Sequence, residues 1–164
     1  MTLEALSPSC WSDHYVLKLN GRPWGEFRGR WFSEHIDIHL TGRRQLRFEK
    51  SGWMGSRFAL IDAVDSESLA EADRGGMFTS AWDLLLSNGR ARLVSAGWFN
   101  TGYQVIQSAG VLADIDGVGL CNGGWAVTDD GSMRETDLLF VGLIYHTILR
   151  RNAAAASASV SAGS

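Results

Sequence analysis

Cysteine, proline and lysine are scarce in this chain of 164 residues, which carries two Cys, two Pro and, as its lysines, Lys18 and Lys50 alone. Cys10 and Cys121 stand far apart with no second pair, which excludes a disulfide framework and suits free thiols in a reducing compartment. The opening MTLEALSPSCW has no basic segment followed by an apolar stretch, so no secretory signal is visible and the cytoplasm is the expected compartment. No apolar run reaches the ~20 residues of a membrane span. A large excess of charge is also missing. The formal net charge is -3, which excludes a general nucleic-acid binder. No Gly-x-Ser-x-Gly, phosphate loop or Gly-x-Gly-x-x-Gly context is present, and no nucleophile with a base can be named.

The chain is rich in glycine and tryptophan instead, with 19 Gly and 7 Trp. Apolar residues make up 45% and charged residues 20%, so the chain is neither disordered nor fibrous, and its length suits one domain. Strand signals run from Tyr15 to Val127. Tyr15, Leu17 and Leu19 alternate with Val16 and Lys18 before the Asn20-Gly21 turn, and Ile36, Ile38 and Leu40 alternate with His35, Asp37 and His39. Gly42 turns the chain again, and Asn88-Gly89 lies between two further apolar runs. A meander of short strands is expected.

An internal repeat sharpens that expectation. Gly52-Trp53 to Trp82 aligns with Gly97-Trp98 to Trp125, with identities at Ile61/Ile106, Leu69/Leu112, Ala70/Ala113, Asp73/Asp116 and Gly76/Gly119. Phe58 and Tyr103 are similar partners, and a weaker third copy starts at Tyr15. Each unit spans roughly 45 residues and four strands, so three units give about twelve. A propeller needs four or more blades to close, so three units favour a closed barrel, which removes its own edge strands. The recurring Trp53, Trp82, Trp98 and Trp125 read as packing residues rather than ligand stackers.

The last element differs in kind. Leu138 to Leu149 is apolar on every face, is preceded by Asp137 and ends at Arg150-Arg151. A helix that is hydrophobic all round and too short to span a membrane is a core helix. The expected architecture is therefore mainly β: a closed antiparallel barrel of about twelve strands around a buried C-terminal hydrophobic helix. Residues 1–13 are expected as an N-terminal arm, 14–152 as the barrel domain with its helix near 136–151, and 153–164 as a disordered Ala/Ser tail. His146 on the helix is expected to bond a strand carbonyl.

This pattern, carried by the paired units Phe58 to Gly76 and Tyr103 to Gly119 and by the helix Asp137 to Leu149, resembles the tubby-like barrel superfamily, which includes LURP-one-related proteins and phospholipid scramblases. The resemblance implies a plugged barrel with no large internal ligand cavity, and therefore not a lipocalin-like carrier. It also implies a non-enzymatic binding or interaction module whose partner is an anionic lipid surface or another protein. In scramblases an acidic segment before the terminal helix is proposed to bind calcium; Asp129, Asp130 and Glu135 occupy a comparable place here, without the spacing of an EF-hand loop.

Two constellations carry candidate chemistry. Between residues 14 and 57 there are nine Lys/Arg against four Asp/Glu, and Arg28, Arg30, Arg43, Arg44, Arg47 and Arg57 form a candidate ligand-binding surface for phosphate or anionic lipid. The competing reading pairs them with Glu26, Glu34, Asp37 and Glu49. His35, Asp37 and His39 project from one face of a strand, with neighbouring side chains about 6.8 Å apart. They would serve a small metal-dependent enzyme if they held a metal, or form a solvated strand face if they did not. No other cofactor is expected.

Overall fold

The structure is a computed structural model that describes residues 1–9, 12–29, 35–51, 57–74, 81–97, 102–119 and 123–161, with the backbone alone over 156–161. Among the described residues twelve strands form: β1 (Thr2–Leu6), β2 (His14–Leu19), β3 (Arg22–Arg28), β4 (Ile36–Leu40), β5 (Gln45–Ser51), β6 (Arg57–Asp62), β7 (Ser68–Arg74), β8 (Trp82–Leu86), β9 (Gly89–Ser95), β10 (Tyr103–Gln107), β11 (Gly110–Val118) and β12 (Gly124–Asp129). One helix, α1 (Glu135–Ser161), follows. Every strand pairs antiparallel with its sequence neighbours, and β1 pairs with both β2 and β12, closing the barrel.

Alternation explains the wall. In β4 the pattern Ile36, Ile38, Leu40 faces inward while Asp37 and His39 face out, and β8 repeats it with Trp82, Leu84 and Leu86 inward. A two-residue slip in register would keep these faces, but a one-residue slip would expose the whole set. The turns follow their residues. Asn20 and Gly21 take φ of 49° and 77°, which joins β2 to β3 through a tight hairpin of the type this dipeptide favours. A 3-10 turn, Thr41–Arg43, joins β4 to β5, with Gly42 at φ 81°.

A four-strand spacing recurs around the barrel. Its register shifts fall at Leu17/Lys18, Leu60/Ile61 and Val105/Ile106, at the same place in β2–β3, β6–β7 and β10–β11. Two residues before each shift stands an aromatic ring, Tyr15, Phe58 or Tyr103. A bulge increases local twist, so three of them placed alike curve the sheet evenly toward closure.

The expected N-terminal arm is a correction. β1 is a full staple of the barrel, with Leu3 and Ala5 completely buried between β12 and β2. Counted around the ring, β1 follows β10 by three strands, as β5 follows β2 and β9 follows β6. Thr2 to Leu6 alternates as Ile36 to Leu40 does, but β12, its partner on one side, lies at the other end of the sequence.

α1 fills the lumen. Residues 137–148 are buried without interruption. Their contacts come from around the whole ring: Phe48 of β5 meets Phe140 at 6.0 Å between centroids, Tyr103 of β10 meets Tyr145 at 5.6 Å, and Tyr15 of β2 meets His146 at 4.9 Å. Trp125 of β12 stands against Gly142, where an added Cβ would fall 2.1 Å from the indole. Each large apolar side chain so buried contributes roughly 1.5–3 kcal/mol. The helix enters with Asp137 buried; this carboxylate accepts hydrogen bonds from the Ser87 backbone N–H at 3.2 Å and from the Ser87 hydroxyl in the β8–β9 turn. An acid in the first turn also suits the positive end of the helix dipole.

The helix is longer than the expected 136–151. It continues through Ala153 to Ser161, the stretch expected as a disordered tail. Alanine has the best intrinsic helix propensity, and a helix already nucleated in the lumen propagates into such a sequence at little cost. At 1.5 Å per residue its 27 residues reach roughly 40 Å, beyond the height of a wall of short tilted strands, and Asn152 to Ala155 are exposed. Among the described residues no helix is long and apolar enough to cross a membrane.

Candidate functional site

The candidate metal ligands lie apart from any metal geometry. His35, Asp37 and His39 all face outward and are exposed, as the solvated strand face requires. Asp37 lies 3.6 Å from the Arg47 guanidinium on β5, and His35 lies 3.9 Å from Glu49. Among the described residues no three His, Cys, Asp or Glu side chains are grouped to hold a metal ion. The acidic segment before α1 is spent on local structure. Asp129 accepts from the Met133 backbone N–H at 2.8 Å and lies 3.1 Å from the Met1 amino group. Asp130 accepts from the Ser132 N–H at 3.0 Å; bonds from Ser132 hold its carboxyl below the usual carboxylate range.

Among the described residues the named arginines do not converge. Arg44 pairs with Asp62 at 3.1 Å, Arg47 with Asp37 at 3.6 Å and Arg57 with Asp73 at 2.8 Å. The Asp62 carboxyl is held below its ordinary value by the Val64 backbone N–H first, and by Arg44. The Arg47 and Arg57 pairs join residues directly opposite on neighbouring strands, and Arg92 with Asp83 at 3.3 Å repeats the device on β9 and β8. Exposed pairs of this kind contribute about 0–1 kcal/mol each; their main effect is to neutralise the outer wall. Arg30 lies outside the described residues, as do Cys10, Cys121, Trp53 and Trp98. Arg28 ends β3 at the rim where α1 leaves, whereas Arg43 sits at the opposite rim, where α1 enters.

The entry rim gathers a different set. Arg43 is held at φ 67° in the turn after β4, and that turn packs against β3. The start of β3 brings Arg22, Pro23 and Trp24, which line a surface depression of about 560 Å³ with Leu19 and Asn20. Arg22 and Arg43 are exposed and their side chains make no ion pair or hydrogen bond among the described residues, while Trp24 is half-buried against the core. Sequence reasoning named Arg43 but missed Arg22 and Trp24. The Asn20-Gly21 turn was the available signal, since it places both of them at a rim; their nearness to Arg43 depends on the β3–β4 pairing.

A broader groove of about 840 Å³ crosses the outer wall from β6 to β10. Along its course Arg57, Asp73, Asp83, Arg92 and Ile106 stand opposite one another in register, and Glu71, Leu85 and Arg90 form a second row.

No family model, curated protein or solved structure matches the chain.

Inside the exit rim, His146 departs from its expected carbonyl partner. Among the described residues its Nε2 has no hydrogen-bond partner, and it is packed among the rings of Tyr15 and Phe27, at centroid distances of 4.9 and 5.8 Å. A Cβ at Gly29 would stand 3.1 Å from that nitrogen, so glycine leaves the imidazole its room. Burial, with Arg150 one turn further along the helix, lowers the His146 pKa from 6.5 to about 3. The imidazole is therefore neutral at ordinary pH and serves as packing. The phenols around the helix, Tyr15, Tyr103 and Tyr145, are all raised above their ordinary value, in each case chiefly by burial.

Proposed function

We propose that this chain is a non-enzymatic binding module of tubby-like barrel type that docks on anionic lipid surfaces through the rim formed by Arg22, Trp24 and Arg43. The observation that carries this reading is the pairing of two guanidiniums free of carboxylate partners among the described residues with a half-buried indole on one rim. With α1 in the lumen, recognition falls to the outside of the barrel. Cations near an anionic membrane surface contribute about 1 kcal/mol each, and an amphipathic ring suits the headgroup level. The arginines already paired with Asp37, Asp62 and Asp73 have less to offer a phosphate, because binding would first separate an existing pair.

Co-sedimentation with vesicles tests the reading. Phosphatidylserine-containing vesicles are expected to retain the protein at low salt, phosphatidylcholine vesicles are not, and the Arg22→Glu/Arg43→Glu variant is expected to lose retention while Arg47→Glu keeps it. Equal retention of wild type and the double variant would overturn it. So would equal retention on neutral vesicles.

A further inference from the structure

The groove on β6–β10 has a chemistry of its own. Arg57, Asp73, Asp83 and Arg92 neutralise one another in pairs, and the Ser68 hydroxyl donates to Glu71 at 2.9 Å. Arg90 is the exception. It lines the groove, is exposed, and its guanidinium has no ion pair or hydrogen bond among the described residues. Arg92 stands two residues along on the same face of β9, and the Gln107 amide donates to the Arg90 carbonyl at 3.1 Å, fixing the backbone between them. Apolar side chains flank this cationic spot on both sides. Leu85, directly opposite Arg90 on β8, is 50% exposed. Ile106 lies opposite Arg92 on β10, and beyond it Val111 on β11 is 53% exposed. Large aliphatic side chains half in water beside an uncompensated charge form a surface with two needs, an anion and an apolar cover.

We propose that this groove binds a free single-chain amphiphile with an anionic head, the head on Arg90 and the chain lying along Leu85, Ile106 and Val111. The head is selected locally: Asp73 and Asp83 are paired with Arg57 and Arg92, Glu71 lies on the far side of Leu85 with the Ser68 hydroxyl on it, and Arg90 alone presents a guanidinium without a carboxylate among the described residues. The volume of about 840 Å³ falls within the range of small-molecule sites. This site lies on the outer wall of β8–β11, away from the β3 rim, and its occupation does not depend on vesicle docking there.

Decyl phosphate below its micellar concentration is the probe, followed by amide chemical-shift titration and calorimetry on the full chain. Saturable binding is expected, with shifts centred on Leu85, Arg90 and Ile106. Arg90→Gln and Leu85→Ser are expected to weaken it about tenfold each, the loss of one charge-assisted contact or one apolar contact. Inorganic phosphate, which lacks the chain, and decyltrimethylammonium, which carries the wrong charge, are expected to bind at least tenfold more weakly than decyl phosphate. Both substituted residues are exposed, so circular dichroism should show an unchanged fold. Arg22→Glu/Arg43→Glu should bind decyl phosphate as the wild type does, which separates failure of this site from failure of the rim. Unchanged affinity in both groove variants, or equal affinity for the ammonium amphiphile, would overturn the proposal.

Discussion

Gly142 of α1 and Trp125 of β12 meet so closely that no side chain fits between them: a Cβ at 142 would lie 2.1 Å from Cζ3 and 2.3 Å from Cη2 of the indole. Two effects compete in Gly142→Ala. Alanine gains about 1 kcal/mol of helix propensity. Overpacking against a fully buried ring costs roughly 1–3 kcal/mol or more, because neither the helix nor the wall has room to retreat. The clash should win, with a net loss of about 2 kcal/mol in urea unfolding. Trp125→Leu in the same background should recover part of it, a coupling that a double-mutant cycle reads directly.

His146 makes stability depend on acid. Its folded pKa of about 3 lies below the ordinary 6.5, so between these values the unfolded chain binds a proton that the folded chain does not. Stability from this group is therefore complete above pH 6.5 and falls as pH drops toward 3, by a few kcal/mol in all. His146→Leu should flatten that arm of the stability curve between pH 4 and 6.5 relative to wild type. Parallel curves for the two proteins would show that the imidazole is not buried as described.

Strand β1 closes the ring, so its interior residues should behave as core. Leu3→Ala is expected to cost about 2–5 kcal/mol, the same class of loss as Leu17→Ala on the neighbouring strand. A cost within ~0.5 kcal/mol, the surface value, would return residues 1–13 to the status of an arm.

Buried and exposed polar contacts should separate cleanly. Asp137→Ala leaves the Ser87 N–H and hydroxyl without their acceptor at the base of the helix and should cost about 1–3 kcal/mol. Arg57→Ala breaks a 2.8 Å ion pair on the outer wall, yet should cost at most about 1 kcal/mol. Thermal denaturation of the two variants under one buffer checks the order.

Much of the architecture was legible in the residues. Period-two runs such as Ile36 to Leu40, the Asn20-Gly21 turn and the wholly apolar Leu138 to Leu149 each state a local preference, and the repeat adds up the strands. Relations between distant segments were less accessible. Leu3 and Ala5 show their place only when β12 and β2 stand on either side of them. Trp82 and Trp125 proved to be interior packing, as their recurrence implied. Density of arginine in sequence does not decide which face, rim or partner each side chain finds; Arg44, Arg47 and Arg57 each met an aspartate, the last two directly across the ladder. Arg22 with Arg43, and Arg90 with Leu85, became visible only once the register was known.

The central claim is that α1 occupies the lumen, and amide hydrogen exchange tests it most directly. The account predicts that the amides of Leu138 to Ile148 exchange only through global unfolding, with protection matching that of Leu17, Leu60 and Val105 in the wall, while Ala153 to Ser161 exchange far faster. Exchange of the Leu138 to Ile148 amides well ahead of the wall would contradict it.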